Sequence, residues 1–159
     1  MAVTQQLLRT SNDKAVAAAA SESKLGQILG VGTGAFDEGM NLDWAPQPLE
    51  EALIALGHPD LSASVARACE GAEILNRSFP EGPDTYQVYS EIRINDIRLV
   101  QELAKDIANL PLGSLRDIAA EFLPNITDPG SYLEGHASKL AAFYARAASA
   151  QQVVITWWD

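Results

Sequence analysis

Lys139–Trp158, KLAAFYARAASAQQVVITWW, decides the fold, because its pattern changes period midway. Leu140, Tyr144 and Ala147 continue a helical face that Leu133 and Ala137 begin, and this predicts one long helix ending near Ala150. Val153, Val154, Ile155, Thr156, Trp157 and Trp158 then run without helical spacing. They are β-branched or aromatic and suit a pleated, buried surface. So apolar a strand would aggregate if one edge were left open, so it is expected to be paired on both edges. Successive strand residues face opposite sides, so one of the two tryptophans belongs in a core.

Working back from that tail, Ser114 with Asp117 has the spacing of a reciprocal helix cap, and Leu115, Ile118, Ala119 and Phe122 recur at helical intervals up to Pro124. Asp128 before Pro129, or Ser131 with Glu134, can start the long helix. Asn95 is placed to cap a helix with Val100, Leu103, Ala104 and Ile107 inside and Arg98, Glu102 and Lys105 in water. Thr85–Ile94, with Tyr86, Val88, Tyr89 and Ile92, is the clearest internal strand. Asn76 to Asp84 reads as an exposed loop.

Pro46 and Pro48 fit the first turn of a short helix through Leu49, Ala52, Leu53 and Leu56 to Gly57. His58, Pro59 and Asp60 form a turn, and Asp60 or Ser62 caps a segment through Ala68 that is either helix or strand. At the front, Val3–Arg9 is a strand running into a capped, alanine-rich helix over Lys14–Ser23. Gly26 and the glycines at 30, 32 and 34 are expected to end it. Mixed order without βαβ alternation predicts an α+β fold, one domain over 1–159.

Composition narrows the function. Acidic residues outnumber basic ones 21 to 11, a formal charge of −10, which repels phosphate backbones and anionic lipid. Nucleic acid is therefore not an expected partner, whereas a basic protein is. Cys69 is the only cysteine, which rules out an internal disulfide and a cysteine-rich zinc site and favours a reducing, cytoplasmic setting. The alanine run at 15–20 is too short to span a bilayer.

The helix bearing Leu140, Ala141, Phe143, Tyr144, Ala147 and Ala148, running directly into Val153–Trp157, resembles the YfbM-like family of uncharacterised bacterial proteins. Leu7 to Asp13 match the family's opening strand and capped helix. Leu42, Asp43 and Trp44 match its Asp-centred turn before a short helix. The chain departs where the family shows a Trp shortly before a Leu-His pair, for here stand Leu49, Glu50 and Glu51. The loop at 76–84 also differs. The resemblance implies a small antiparallel-to-mixed sheet with helices packed around it, and it carries over no activity or catalytic residue.

Candidate sites are few. Gly30, Val31, Gly32, Thr33 and Gly34 lack the strand, helix and Lys of a phosphate loop, and Phe36, Asp37 and Glu38 follow, so they read as a surface loop. His58 and His136 have no metal-type spacing, and no cofactor is expected. Either would act as a base only if a carboxylate oriented it. Cys69 reads as a small buried hydrophobe. Asp37, Glu38, Asp43, Glu50 and Glu51 are the densest acidic region, able to meet a basic partner but ordinarily a solvated face. Trp44, bracketed by prolines, reads as a plug over the core in preference to a contact anchor. The favoured function is a non-enzymatic protein-interaction module with an acidic face, inhibitor-like towards a basic partner. The alternative is a small-molecule binder or hydrolase-type enzyme with a cleft near Asp43, Trp44, Glu50 and one histidine. The Tyr-bearing strand and Trp-bearing tail also leave a homodimer open.

Overall fold

A computed structural model describes residues 4–29, 38–76 and 91–158. Among these residues five strands build one sheet: β1 (Gln5–Thr10), β2 (Gly39–Asp43), β3 (Glu73–Asn76), β4 (Ile92–Asn95) and β5 (Val153–Trp158). Their order is β2-β1-β5-β4-β3, so the tail strand lies in the middle. Each of the four pairings is antiparallel, which selects the antiparallel form of the expected sheet. Along β5, Gln5 to Thr10 pair with Trp158 to Val153 on one side, and Arg93 to Asn95 pair with Thr156 to Val154 on the other.

Both faces of β5 are covered, which explains its unbroken apolar run. On one face Val154 and Leu7 join a core with α3 (Pro46–Ala55), α4 (Pro59–Glu70), α5 (Ile97–Ile107), α6 (Leu112–Phe122) and α7 (Pro129–Ser149). On the other face Val153, Ile155, Trp157, Leu8 and Ile92 pack against α1 (Asn12–Ala19) and α2 (Glu22–Ile28), through Ala15, Ala18, Leu25 and Leu29. The long helix α7 buries Leu133, Ala137, Leu140, Phe143, Tyr144 and Ala147 and packs against α5 and α6. Asp128 starts it by accepting from Ser131 N–H at 3.1 Å, with Pro129 in the first turn.

Several boundaries differ from expectation. Ser11 caps α1 as its pattern implies, but a second cap at Ser21 starts α2, which runs through Gly26 because Leu25 and Leu29 are buried on either side of it. Helix α4 begins at Pro59, so Asp60 and Ser62 lie inside it. Ser62 instead donates to Glu50 O at 3.1 Å. Helix α6 begins at Leu112 after Pro111, leaving Ser114 within the first turn rather than at the cap. Asn95 does not cap α5. Asp96 does, accepting from Leu99 N–H at 2.8 Å, while Asn95 is fully buried at the end of β4. The short strands β2 and β3 carry too little alternation to stand out in the sequence. Of the expected strand Thr85–Ile94, the structure describes Ile92 onward as β4. Positions 85–90, the glycine loop at 30–34 and most of the loop at 76–84 lie outside the described residues.

Among the described residues no helix is long and apolar enough to cross a membrane.

Candidate functional site

Strand β2 ends at Asp43, whose backbone takes a left-handed conformation with φ 54°. A residue other than glycine holds that conformation only when its surroundings fix it. Two contacts do so. The Asp43 N–H donates to Asn41 Oδ1 at 2.6 Å, a local turn of the kind asparagine favours. The Tyr132 hydroxyl, from the first turns of α7, donates to Asp43 Oδ2 at 3.0 Å. The chain then turns at Trp44, which is 55% exposed, before the buried Ala45 and Pro46 open α3.

Tyr132 and His136 are one helical turn apart and share a face of α7, with ring centroids 4.5 Å apart at 58°. Burial, then the Asp43 acceptor, pushes the Tyr132 phenol up to about 12, so it stays a hydrogen-bond donor. The His136 imidazole is held below its ordinary value, chiefly by burial and then by Lys139, with Asp43 pulling the other way. Its Nδ1 is buried without a hydrogen-bond partner. The ring packs beside Tyr132, and among the described residues no carboxylate is hydrogen-bonded to its Nδ1 to orient it as a general base would require.

The acidic residues singled out from the sequence do not form one cluster. Asp43 sits at the Tyr132 corner. Glu38 lies at the other end of β2, 3.9 Å from Arg9 and accepting from Gln152 Nε2 at 3.4 Å. Glu51 is exposed on α3 and accepts from Gln47 at 2.9 Å. Glu50 is half-buried and raised in pKa by burial first, then by Glu70 and Glu51. Its electrostatic neighbours belong to α3 and α4 rather than to the Asp43 corner. Asp37 lies outside the described residues. The expectation that Trp44 plugs the core is overturned, since the turn directs it outward while Ala45 and Pro46 fill the space beneath.

His58 is exposed at the N-terminus of α4, and Cys69 is fully buried. Burial, then the nearby Glu50 and Glu70, hold the Cys69 thiol far above its usual range, which favours the thiol over the thiolate. Trp157 is in the core and Trp158 half-buried on the opposite face. Among the described residues no group of three or more His, Cys, Asp or Glu side chains could hold a metal ion. Tyr132 is the member of this corner that sequence reasoning passes over. Its i, i+4 spacing to His136 is the local signal, but its partner Asp43 is 89 positions away.

In its fold the chain is similar to the crystal structure of YfbM, a protein of unknown function from Escherichia coli. The TM-score is 0.65 at 13% identity, covering 98% of this chain and 99% of that one. At that identity the likeness is one of fold. No family model matches the chain, and no curated protein does.

Proposed function

We propose that the chain is a member of the YfbM-like family and works, as one domain in a bacterial cytoplasm, as a non-enzymatic interaction module. Its contact anchor is Trp44, and its partner is a basic protein. The observation that carries this reading is Trp44 itself, 55% exposed on a turn pinned by Asn41 and Tyr132. Tryptophan is enriched among the residues that dominate binding energy, and a turn fixed before binding loses little freedom on contact. Asp43 beside it, the exposed Glu51 and a net charge of −10 favour a cationic surface opposite. A pull-down at low and moderate salt tests the proposal. We expect a stoichiometric basic partner whose recovery falls as salt rises and is lost with Trp44→Ala, a change worth about 2 kcal/mol or more at such an anchor. Recovery of no partner at either salt, or equal recovery by the variant, would sink it.

A second reading, a small-molecule or hydrolase-type site at the same corner, is favoured by one observation: the buried His136 Nδ1 has no partner. Thermal stabilisation by a metabolite or metal ion that disappears in His136→Gln would support it. A screen with no stabilisation would remove it.

A further inference from the structure

Helix α3 turns Leu49, Ala52 and Leu53 into the core and leaves Gln47, Glu51, Ile54 and Ala55 exposed. Gln47, Glu51 and Ile54 recur at i, i+4 and i+7, so they line one stripe of the helix, and Trp44 stands in the turn that opens it. At the helical rise, Trp44 to Ile54 spans about 15 Å. A single exposed apolar side chain is ordinary on a protein surface. Here both ends of one stripe are apolar and open, Trp44 at 55% and Ile54 at 60% exposure.

The charge around that stripe has one sign. Between Lys24 and Arg67 the sequence holds no Lys or Arg, while Asp37, Glu38, Asp43, Glu50, Glu51 and Asp60 all fall there. Among the described residues the ion pairs join Arg9 to Glu38, Arg93 to Glu91 and Arg116 to Glu134, so Asp43, Glu50, Glu51 and Asp60 are in none of them. Glu51 accepts only from the neutral Gln47 amide, at 2.9 Å. Glu50, one turn before Ile54, feels the like charges of Glu70 and Glu51, which a cation opposite would relieve. This field repels a phosphate backbone or an anionic lipid, and a second copy of the chain would bring the same carboxylates together. The main-chain groups in the middle of a helix are already bonded to one another, so a partner meets α3 through side chains, and a second helix packed along it does so over the full stripe.

Resting on the reading of Trp44 as an anchor, we propose that the exposed face of α3 is the docking track for a basic amphipathic helix of the partner. Apolar side chains about three turns apart on that helix seat against Trp44 and Ile54, and Lys or Arg between them meets Glu51 and Glu50.

Titration calorimetry of the full chain with a helical peptide of about 18 residues, built of leucine and lysine at helical spacing, tests the proposal. Its counterparts are the same peptide with glutamate for lysine and one of the same composition in scrambled order. Saturable one-to-one binding is expected for the first, at least about tenfold tighter than for either counterpart. Ile54→Ser should weaken it about tenfold and Glu51→Gln about threefold, both at exposed positions where the melting temperature should hold. Val16→Ser, which removes an equally exposed apolar side chain from α1, should leave it unchanged. No saturable binding, equal binding of the scrambled peptide, or equal loss in Val16→Ser and Ile54→Ser would overturn the proposal. Loss in Trp44→Ala with full affinity in Ile54→Ser would also overturn it, yet would leave Trp44 as the anchor. So would a dimer of the chain, seen by sedimentation, that Ile54→Ser dissolves, since the face would then belong to a second copy.

Discussion

Asn95 shows how much one buried polar side chain can organise. Its Oδ1 accepts from Ala72 N–H at 2.9 Å, and its Nδ2 donates to Arg67 O and to the Tyr144 hydroxyl, both at 3.0 Å. Tyr144 in turn donates to Ala68 O at 2.7 Å. The end of α4, β4 and α7 are thus joined at one point, with the last carbonyls of α4 satisfied by side chains. Asn95→Ala should lower stability by about 2–4 kcal/mol, since it orphans several buried groups at once. Urea unfolding checks this, and a double-mutant cycle with Tyr144→Phe should show coupling of about 1 kcal/mol. His136 gives a residue-scale prediction in pH. Its folded pKa is lowered, so between that value and about 6.5 the unfolded chain binds the extra proton. Its contribution is therefore complete above about 6.5 and is lost as pH falls through the window below. His136→Gln should flatten the drop in urea midpoint between neutral and mildly acidic pH, and an unchanged profile would refute the assignment.

At the scale of elements, β5 is the strand that both halves of the sheet share. It alone joins β1 and β2 to β4 and β3. Truncation before Val153 should therefore abolish cooperative melting rather than shift it, which a calorimetric scan would show. This strand and the helix before it were legible because the sequence there is long, consistent and apolar. Helices α3, α5, α6 and α7 were legible for the same reason. The caps were less so. Asn95 and Asp96 are adjacent and both suit a cap, and only burial of the first decides between them. Ser114 has capping-box spacing yet lies inside a helix that Pro111 starts, because the spacing rule does not exclude an earlier start. Of the candidate corner, Asp43 and Trp44 are adjacent in the sequence, whereas the contact of Asp43 with Tyr132 and, through it, His136 is made across 89 positions and leaves no local signal, and Glu50 faces Glu70 and Glu51 instead.

At the scale of the molecule, among the described residues, α3 to α7 pack on one face of the sheet and α1 and α2 on the other. The layer of α1 and α2 is anchored by alanines and two leucines, so it should open at lower free energy than the rest. Hydrogen exchange should find the α1 and α2 amides less protected than those of α7 and β5, and equal protection would show that the two layers open together. The pairing of β1 with β5 has a further consequence during synthesis. Gln5 holds the carbonyl of Trp157, 152 positions later. At about 5–20 residues per second a ribosome takes roughly 8–30 s to make that interval. Throughout it, β1 can pair with β2 on one edge but lacks β5 on the other, so each nascent copy passes through a stage in which a chaperone has an open strand edge to hold.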